Sequence, residues 1–283
     1  VPGPLPAAAT APATAPATAG GFAAPRRFGR VNWRGLWTLY QRAFLRYLKF
    51  AVEGIVGPMI SAALFLAVFV LALPQGRSSL GGVEPLVFLV PGIGAYQGFH
   101  AAFENAAFPI VYDKLEGMMS DVLMAPLRPW EVVIAYVGAA ALAGMTTGAV
   151  ILGLISLIVP LPLADLGTVL VFAALGSLLF ALVGFLTGLW AEKWDRYALV
   201  ETFLVMPLGI LSGTFFTLDA VPAAGREAML LNPVFYGIDG LRAGFIGSAQ
   251  ASPGTGAALL AGLCLVLFLV AWRLFASGYK VRA

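Results

Sequence analysis

His100 and Glu104 are the residues of this sequence best suited to chemistry. Four positions apart, they share one face of a helix, with Tyr96 and Gln97 a turn above. The surrounding residues are apolar enough to span a membrane, where a charge costs at least about 2.5 kcal/mol on insertion scales. An imidazole and a carboxylate at that depth must therefore face protein or water. They either lock helix packing by a hydrogen bond, within the chain or across a dimer, or form a polar patch or proton-sensitive gate on a translocation path. Glu201 and Pro207 mark a later apolar segment, the first near its expected cytoplasmic end and the second a point where a helix can kink.

The enzymatic alternatives lack their constellations. No G-x-x-x-x-G-K-[ST] occurs, so the chain carries no P-loop for ATP. There is no H-E-x-x-H, and no G-x-S-x-G accompanies the one histidine. That single histidine excludes His-rich metal sites, and the single cysteine, Cys264, excludes a disulfide within the chain. We therefore expect no catalytic residue and no metal.

The elements that must position these residues follow from composition. Of 283 residues 60% are hydrophobic and 11% charged, less than half the roughly 25% of a soluble domain. Only a membrane protein can hide so much apolar surface. A formal charge of +3 gives no support for nucleic-acid binding. Six apolar segments, roughly 51–73, 87–111, 130–158, 165–190, 199–217 and 256–276, approach or exceed the ~20 residues needed to cross the bilayer. Residues 1–31 begin as an Ala/Pro/Thr/Gly tail without a secretory leader's apolar run, expected to be disordered, followed by Arg26, Arg27 and Arg30. Residues 32–283 form the transmembrane domain. Between the last two spans, 218–252 mixes short apolar runs with Pro222, Asn232 and Pro233, as a broken or re-entrant helix does.

Six spans put both termini on one side. With that side cytoplasmic, Arg77, Arg226 and Arg242 fall outside and the other 14 of the 17 Lys/Arg residues inside, as the positive-inside rule requires. Five G-x-x-x-G pairs, among them Gly94/Gly98 and Gly144/Gly148, suit close helix packing.

Two amphipathic helices complete the layout. In 33–49, Trp33, Leu36, Trp37, Tyr40, Phe44, Tyr47 and Leu48 recur at helical spacing opposite Arg34, Arg42, Arg46 and Lys49, suiting a helix in the headgroup layer. In 114–124, Leu115, Met118, Met119, Val122 and Leu123 form one face, with Lys114, Glu116, Ser120 and Asp121 opposite. Pro126 ends that helix at Ala125. Such a short helix is marginal alone, so its apolar face must lie on the membrane or dock in a cytoplasmic partner.

Four stretches carry a resemblance: FLVPGIGAYQ (88–97), VYDKLEGMMSDVLMAPLRPWEVVIAYV (111–137), LSGTFFTLDAVP (211–222) and LNPVFYGIDGLR (231–242). In order and spacing the chain resembles the ABC-2 type permeases, the membrane subunits of ABC exporters, which include nodulation-factor, daunorubicin and polysaccharide exporters. The resemblance implies an all-α, six-span fold of the type V exporter kind. Trp33, Trp37, Tyr40, Arg42, Phe44 and Arg46 would lie on its connecting helix. Leu115, Glu116, Met118, Met119, Asp121, Val122 and Leu123 would belong to its coupling helix, and Glu192, Lys193, Asp195 and Arg196 to a second ATPase contact. Spans two and five, with Tyr96, Gln97, His100, Glu104, Glu201 and Pro207, would line the path. The implied partners are a second copy of the chain, two ATPase subunits that carry ATP and Mg, and the lipids of a bacterial inner membrane. The rival is an ion-gradient-driven transporter, which would show inverted repeats and paired mid-membrane acids.

Overall fold

The computed structural model describes residues 31–72 and 82–280. The expected tail through Arg30 and the outer Arg77 lie outside the described residues. Everything described beyond isolated turns is helical, and five helices are long and apolar enough to cross a membrane. They are α2 (Ala51–Ala72), α3 (Pro85–Leu115), α5 (Pro129–Ser156), α6 (Leu166–Trp190) and α11 (Pro253–Ala276), preceded by α1 (Trp33–Lys49).

Helix α3 is the axis of the bundle. Its residues are mostly apolar with no single apolar stripe, and most of it is buried, leaving one edge with Glu104, Phe108, Tyr112 and Leu115 more open. It packs on α5, α6, α2 and α10 (Pro233–Ile246). Two of the glycine pairs meet at the α3–α5 crossing. A Cβ at Gly98 would stand 2.9 Å from the Gly144 carbonyl, and one at Gly144 would stand 2.5 Å from that of Gly98. Only hydrogen fits there, and backbone-to-backbone approach replaces side-chain packing.

The expected span 199–217 is not one long helix. It divides into α7 (Trp194–Val200), a π-helical turn (Glu201–Val205) and α8 (Met206–Ile210), followed by turns. Pro207 explains part of this, because it lacks the N–H that would reach back along a regular helix. The widened turn just before it carries the Met206 N–H to the Glu201 carbonyl. The segment nevertheless runs antiparallel along α3. Trp194 meets Phe108 at 4.9 Å and Tyr197 stacks on Phe103 at 5.8 Å. Further along, Gly209 lies against the Tyr96 ring and the Thr214 carbonyl against Gly92.

Residues 218–252 form a helical hairpin of α9 (Ala223–Leu231) and α10. Its ends are joined, since the Gln250 side-chain oxygen accepts from the Leu218 N–H at 2.6 Å. Its turn reaches elsewhere: Asn232 caps α10 through the Val234 N–H and donates to the Leu208 carbonyl of α8 at 2.7 Å. Helix α10 is buried on most sides, and its end accepts from the Ala164 and Asp165 N–H groups where α6 begins.

Candidate functional site

The described basic residues other than Arg226 and Arg242 gather at one end of the bundle, and there several polar joints tie the helices together. The coupling helix expected over 114–124 is corrected by the structure. Helix α3 continues through Leu115, and a turn of Glu116, Gly117 and Met118 follows. Helix α4 is only Met119–Met124. Gly117 has φ +72°, a left-handed conformation that ends one helix and re-aims the next. Ala125 then adopts extended backbone before Pro126, as expected.

This break divides the apolar stripe. Met119 and Val122 are 5% and 4% exposed and belong to the main core, so they anchor α4 to the bundle. Met118 is half-buried, whereas Leu115, Leu123 and Met124 face outward beside exposed Glu116, Ser120 and Asp121. The surface free for a partner is therefore a different subset from the face drawn by periodicity.

Three polar joints fix the surroundings of α4. Asn32 caps α1 through the Gly35 N–H, donates its own N–H to Glu131 at 2.8 Å, and donates its amide to the Pro126 carbonyl. The second Glu131 oxygen accepts the Arg128 N–H at 2.7 Å, closing a box at the start of α5. In the next joint, fully buried Asp113 accepts from Arg46 at 3.1 Å and from the Tyr136 hydroxyl at 3.3 Å, tying α3 to α1 and α5. In the last, Lys114 donates to the carbonyls of Gly188, Leu189 and Ala191 at 3.0, 2.8 and 2.7 Å. These carbonyls end α6, where a cation meets the negative end of the helix dipole.

Beyond α6, Glu192 pairs with Arg196 at 2.8 Å and with Lys280 at 2.9 Å, and Lys193 and Asp195 are exposed. The hydrogen bond from Lys280 holds the Glu192 carboxyl below its usual range against desolvation, with lesser help from the charges of Arg196, Lys280 and Lys114. The chain after α11 is thus fastened to the α6–α7 junction.

Helix α1 forms as expected but presents other faces. Leu39 and Tyr47 are buried on the bundle, and Tyr47 reaches Thr147 of α5 at 3.1 Å. Trp37, Tyr40 and Phe44 stack in series, and Tyr47 meets Phe44 with its ring tilted. Trp33, Trp37 and Leu48 of the predicted apolar face are exposed, while Arg42 remains on the outer, polar side.

Deeper in the bundle the His100–Glu104 pair acquires a third member. His100 Nδ1 lies 3.6 Å from Glu104, and Nε2 lies 3.3 Å from Glu201. Glu201 is therefore at the depth of His100 rather than at the end of its span, because it opens the π-helical turn. Tyr96 lies beside His100 with ring centroids 5.9 Å apart. Gln97 points elsewhere, donating to the Pro58 carbonyl of α2 at 2.9 Å, a packing role. Pro207 lines no part of the cluster's contacts; it follows the turn that presents Glu201. Glu104 also borders a cleft of about 370 Å³ that includes Glu53, Asn105, Phe108 and Tyr197.

At the opposite end, Arg242 is 2% exposed and donates to the carbonyls of Phe88 and Gly213 at 3.1 and 2.8 Å. Its guanidinium lies 3.7 Å over the Phe88 ring. Neither this residue nor Asn32, Asp113, Lys114, Glu131 and Tyr136 stands out by sequence spacing, since the partners that join the helices come from distant parts of the chain. The one available signal was a charge placed at the edge of an apolar run.

Among the described residues, a helical bundle with five possible membrane crossings, a central polar cluster and a short helix anchored between two of the crossings has the architecture of a multi-pass membrane protein. The family profile described as ABC-2 type transporter matches residues 34–246, and the chain belongs to that family. It is 26% identical over 253 residues to the inner membrane transport permease YadH of Escherichia coli (strain K12), an alignment spanning 89% of this chain and 99% of that protein. It is also 27% identical over 225 residues to Nodulation protein J of Rhizobium leguminosarum bv. trifolii, covering 76% and 81% of the two chains.

Proposed function

We propose that the chain is the permease subunit of an ATP-driven exporter in the bacterial inner membrane. Two copies work with two ABC ATPase subunits, which bind the ATP and Mg and hydrolyse the nucleotide. The substrate is an amphipathic, lipid-linked, polysaccharide or drug-like molecule. The observation that carries this reading is the construction of the basic end. Helix α4 is anchored by Met119 and Val122 and presents Leu123, Asp121 and Glu116 outward. Its neighbours α1, α5 and α6 are joined to α3 by the Arg46–Asp113 ion pair, the Tyr136–Asp113 hydrogen bond and the Lys114 carbonyl contacts rather than by apolar packing alone. A push on α4 is thereby delivered to α3 and α5 together. Glu192, Lys193, Asp195 and Arg196 form the second contact.

The reading has six crossings with both termini cytoplasmic, and two features support the number of crossings and the re-entrant element. Segment 194–214 accompanies α3 from Phe108 to Gly92, which at 1.5 Å per residue is about 24 Å, most of a bilayer core of about 30 Å. The hairpin α9–α10, with joined ends and an inserted turn, serves as the re-entrant element on the outer side. Trp33, Trp37 and Leu48 of α1 supply a headgroup-facing surface.

One observation favours the rival ion-driven transporter: Glu201 joins Glu104 at His100, giving the paired acids that such a carrier uses. Purification from native membranes in mild detergent separates the readings. The exporter requires an ABC ATPase to accompany the chain in near-equal amount. A chain that purifies alone, from membranes where the ATPase is present, contradicts it.

A further inference from the structure

We infer that His100, Glu104 and Glu201 form a binding site for a divalent transition-metal ion of the zinc type. One ring nitrogen and one oxygen from each carboxylate lie within 4.8 Å of one another. Around a zinc-type ion with bonds of about 2.0–2.2 Å, such atoms sit roughly 3.3 Å apart. With Nε2 as the ligand atom the His100–Glu201 distance is already 3.3 Å, while Glu104, which stands at 3.6 Å on the Nδ1 side, must swing its 41% exposed side chain across to the same nitrogen.

Two further observations point to a cation. His100 Nε2 is buried and forms no well-aligned hydrogen bond, although the Glu201 carboxylate stands 3.3 Å away. Among the described residues, neither Glu104 nor Glu201 pairs with any Lys or Arg, so two carboxylates share one imidazole. Inside an apolar bundle that excess of negative charge calls for a positive ion. An imidazole with two carboxylates suits zinc, cobalt or manganese better than magnesium or calcium, which take all-oxygen sites. A single histidine forms no metal motif in the sequence. The third ligand comes from another segment, delivered by the π-helical turn. A bound ion would pin that turn to α3. The site holds whether or not an ATPase docks at the basic end.

The test is titration of the purified full chain, carrying no polyhistidine tag, with Co²⁺, followed by its visible absorption. Wild type should bind Co²⁺ saturably, with displacement by Zn²⁺ and none by Mg²⁺. His100→Gln, Glu104→Gln and Glu201→Gln should each weaken binding by at least about tenfold, the loss that even outer-sphere changes bring. Glu104→Gln guards against misfolding as the cause, because that side chain is partly exposed; its size-exclusion profile should match wild type. Saturable binding unchanged in the three variants, or no saturable binding in wild type, overturns the proposal. In the second case the excess charge is met by protons instead.

Discussion

Glu131 accepts two backbone N–H groups, the buried one of Asn32 and the part-buried one of Arg128. Glu131→Ala should therefore cost about 3 kcal/mol, read as a lowered midpoint in thermal unfolding, and should loosen α1 from α5. Glu192 offers a pH-dependent counterpart at the same end. Lys280 first, then Arg196, lowers its carboxyl affinity for protons. Its contribution to stability is thus complete above the ordinary glutamate pKa and is lost as pH falls through the lowered folded value. Carboxypeptidase should attack the residues after α11 faster as pH drops into that acidic window. Glu192→Gln should give the faster attack at neutral pH as well.

At the scale of elements, periodicity and burial disagree about α4, and the disagreement has a test. Met119→Glu puts a charge into the core and should destabilise the protein by about 3 kcal/mol or more. Leu123→Glu, on the outer side, should change stability by less than about 0.5 kcal/mol. Gly144→Leu should block the α3–α5 crossing at Gly98 and yield aggregated protein in size-exclusion chromatography. Five crossings and α1 were legible because long apolar runs and a 3.6-residue rhythm are local properties. The bounds of α2, α6 and α11 lie within three residues of those expected. The rest was hidden for two reasons. Gly117 could take its left-handed conformation only once α3 had continued through Leu115, so one helix was drawn where there are two. The π-helical turn at Glu201 carries no spacing of its own, and Pro207 alone suggested only a kink.

For the whole molecule, the resemblance implied the surfaces and the structure redistributes the residues on them. His100 and Glu104 were visible as an i, i+4 pair, but Glu201 joined them only through tertiary packing. The joints that bind α1, α3, α5 and α6 at the basic end were invisible for the same reason. Topology also belongs to this scale. A cysteine at Gly278, in a chain whose Cys264 is buried, should react with an impermeant maleimide only in inverted membranes, and one at Leu161 only from the outside. The central claim, that an ATPase drives this bundle through the outer side of α4, is tested most directly by co-purifying wild type and Leu123→Glu from the same membranes. The account predicts an ABC ATPase with wild type, its loss with Leu123→Glu, and equal thermal stability of the two permeases. An ATPase retained by the variant would place the contact elsewhere, and one absent from both would contradict the exporter itself.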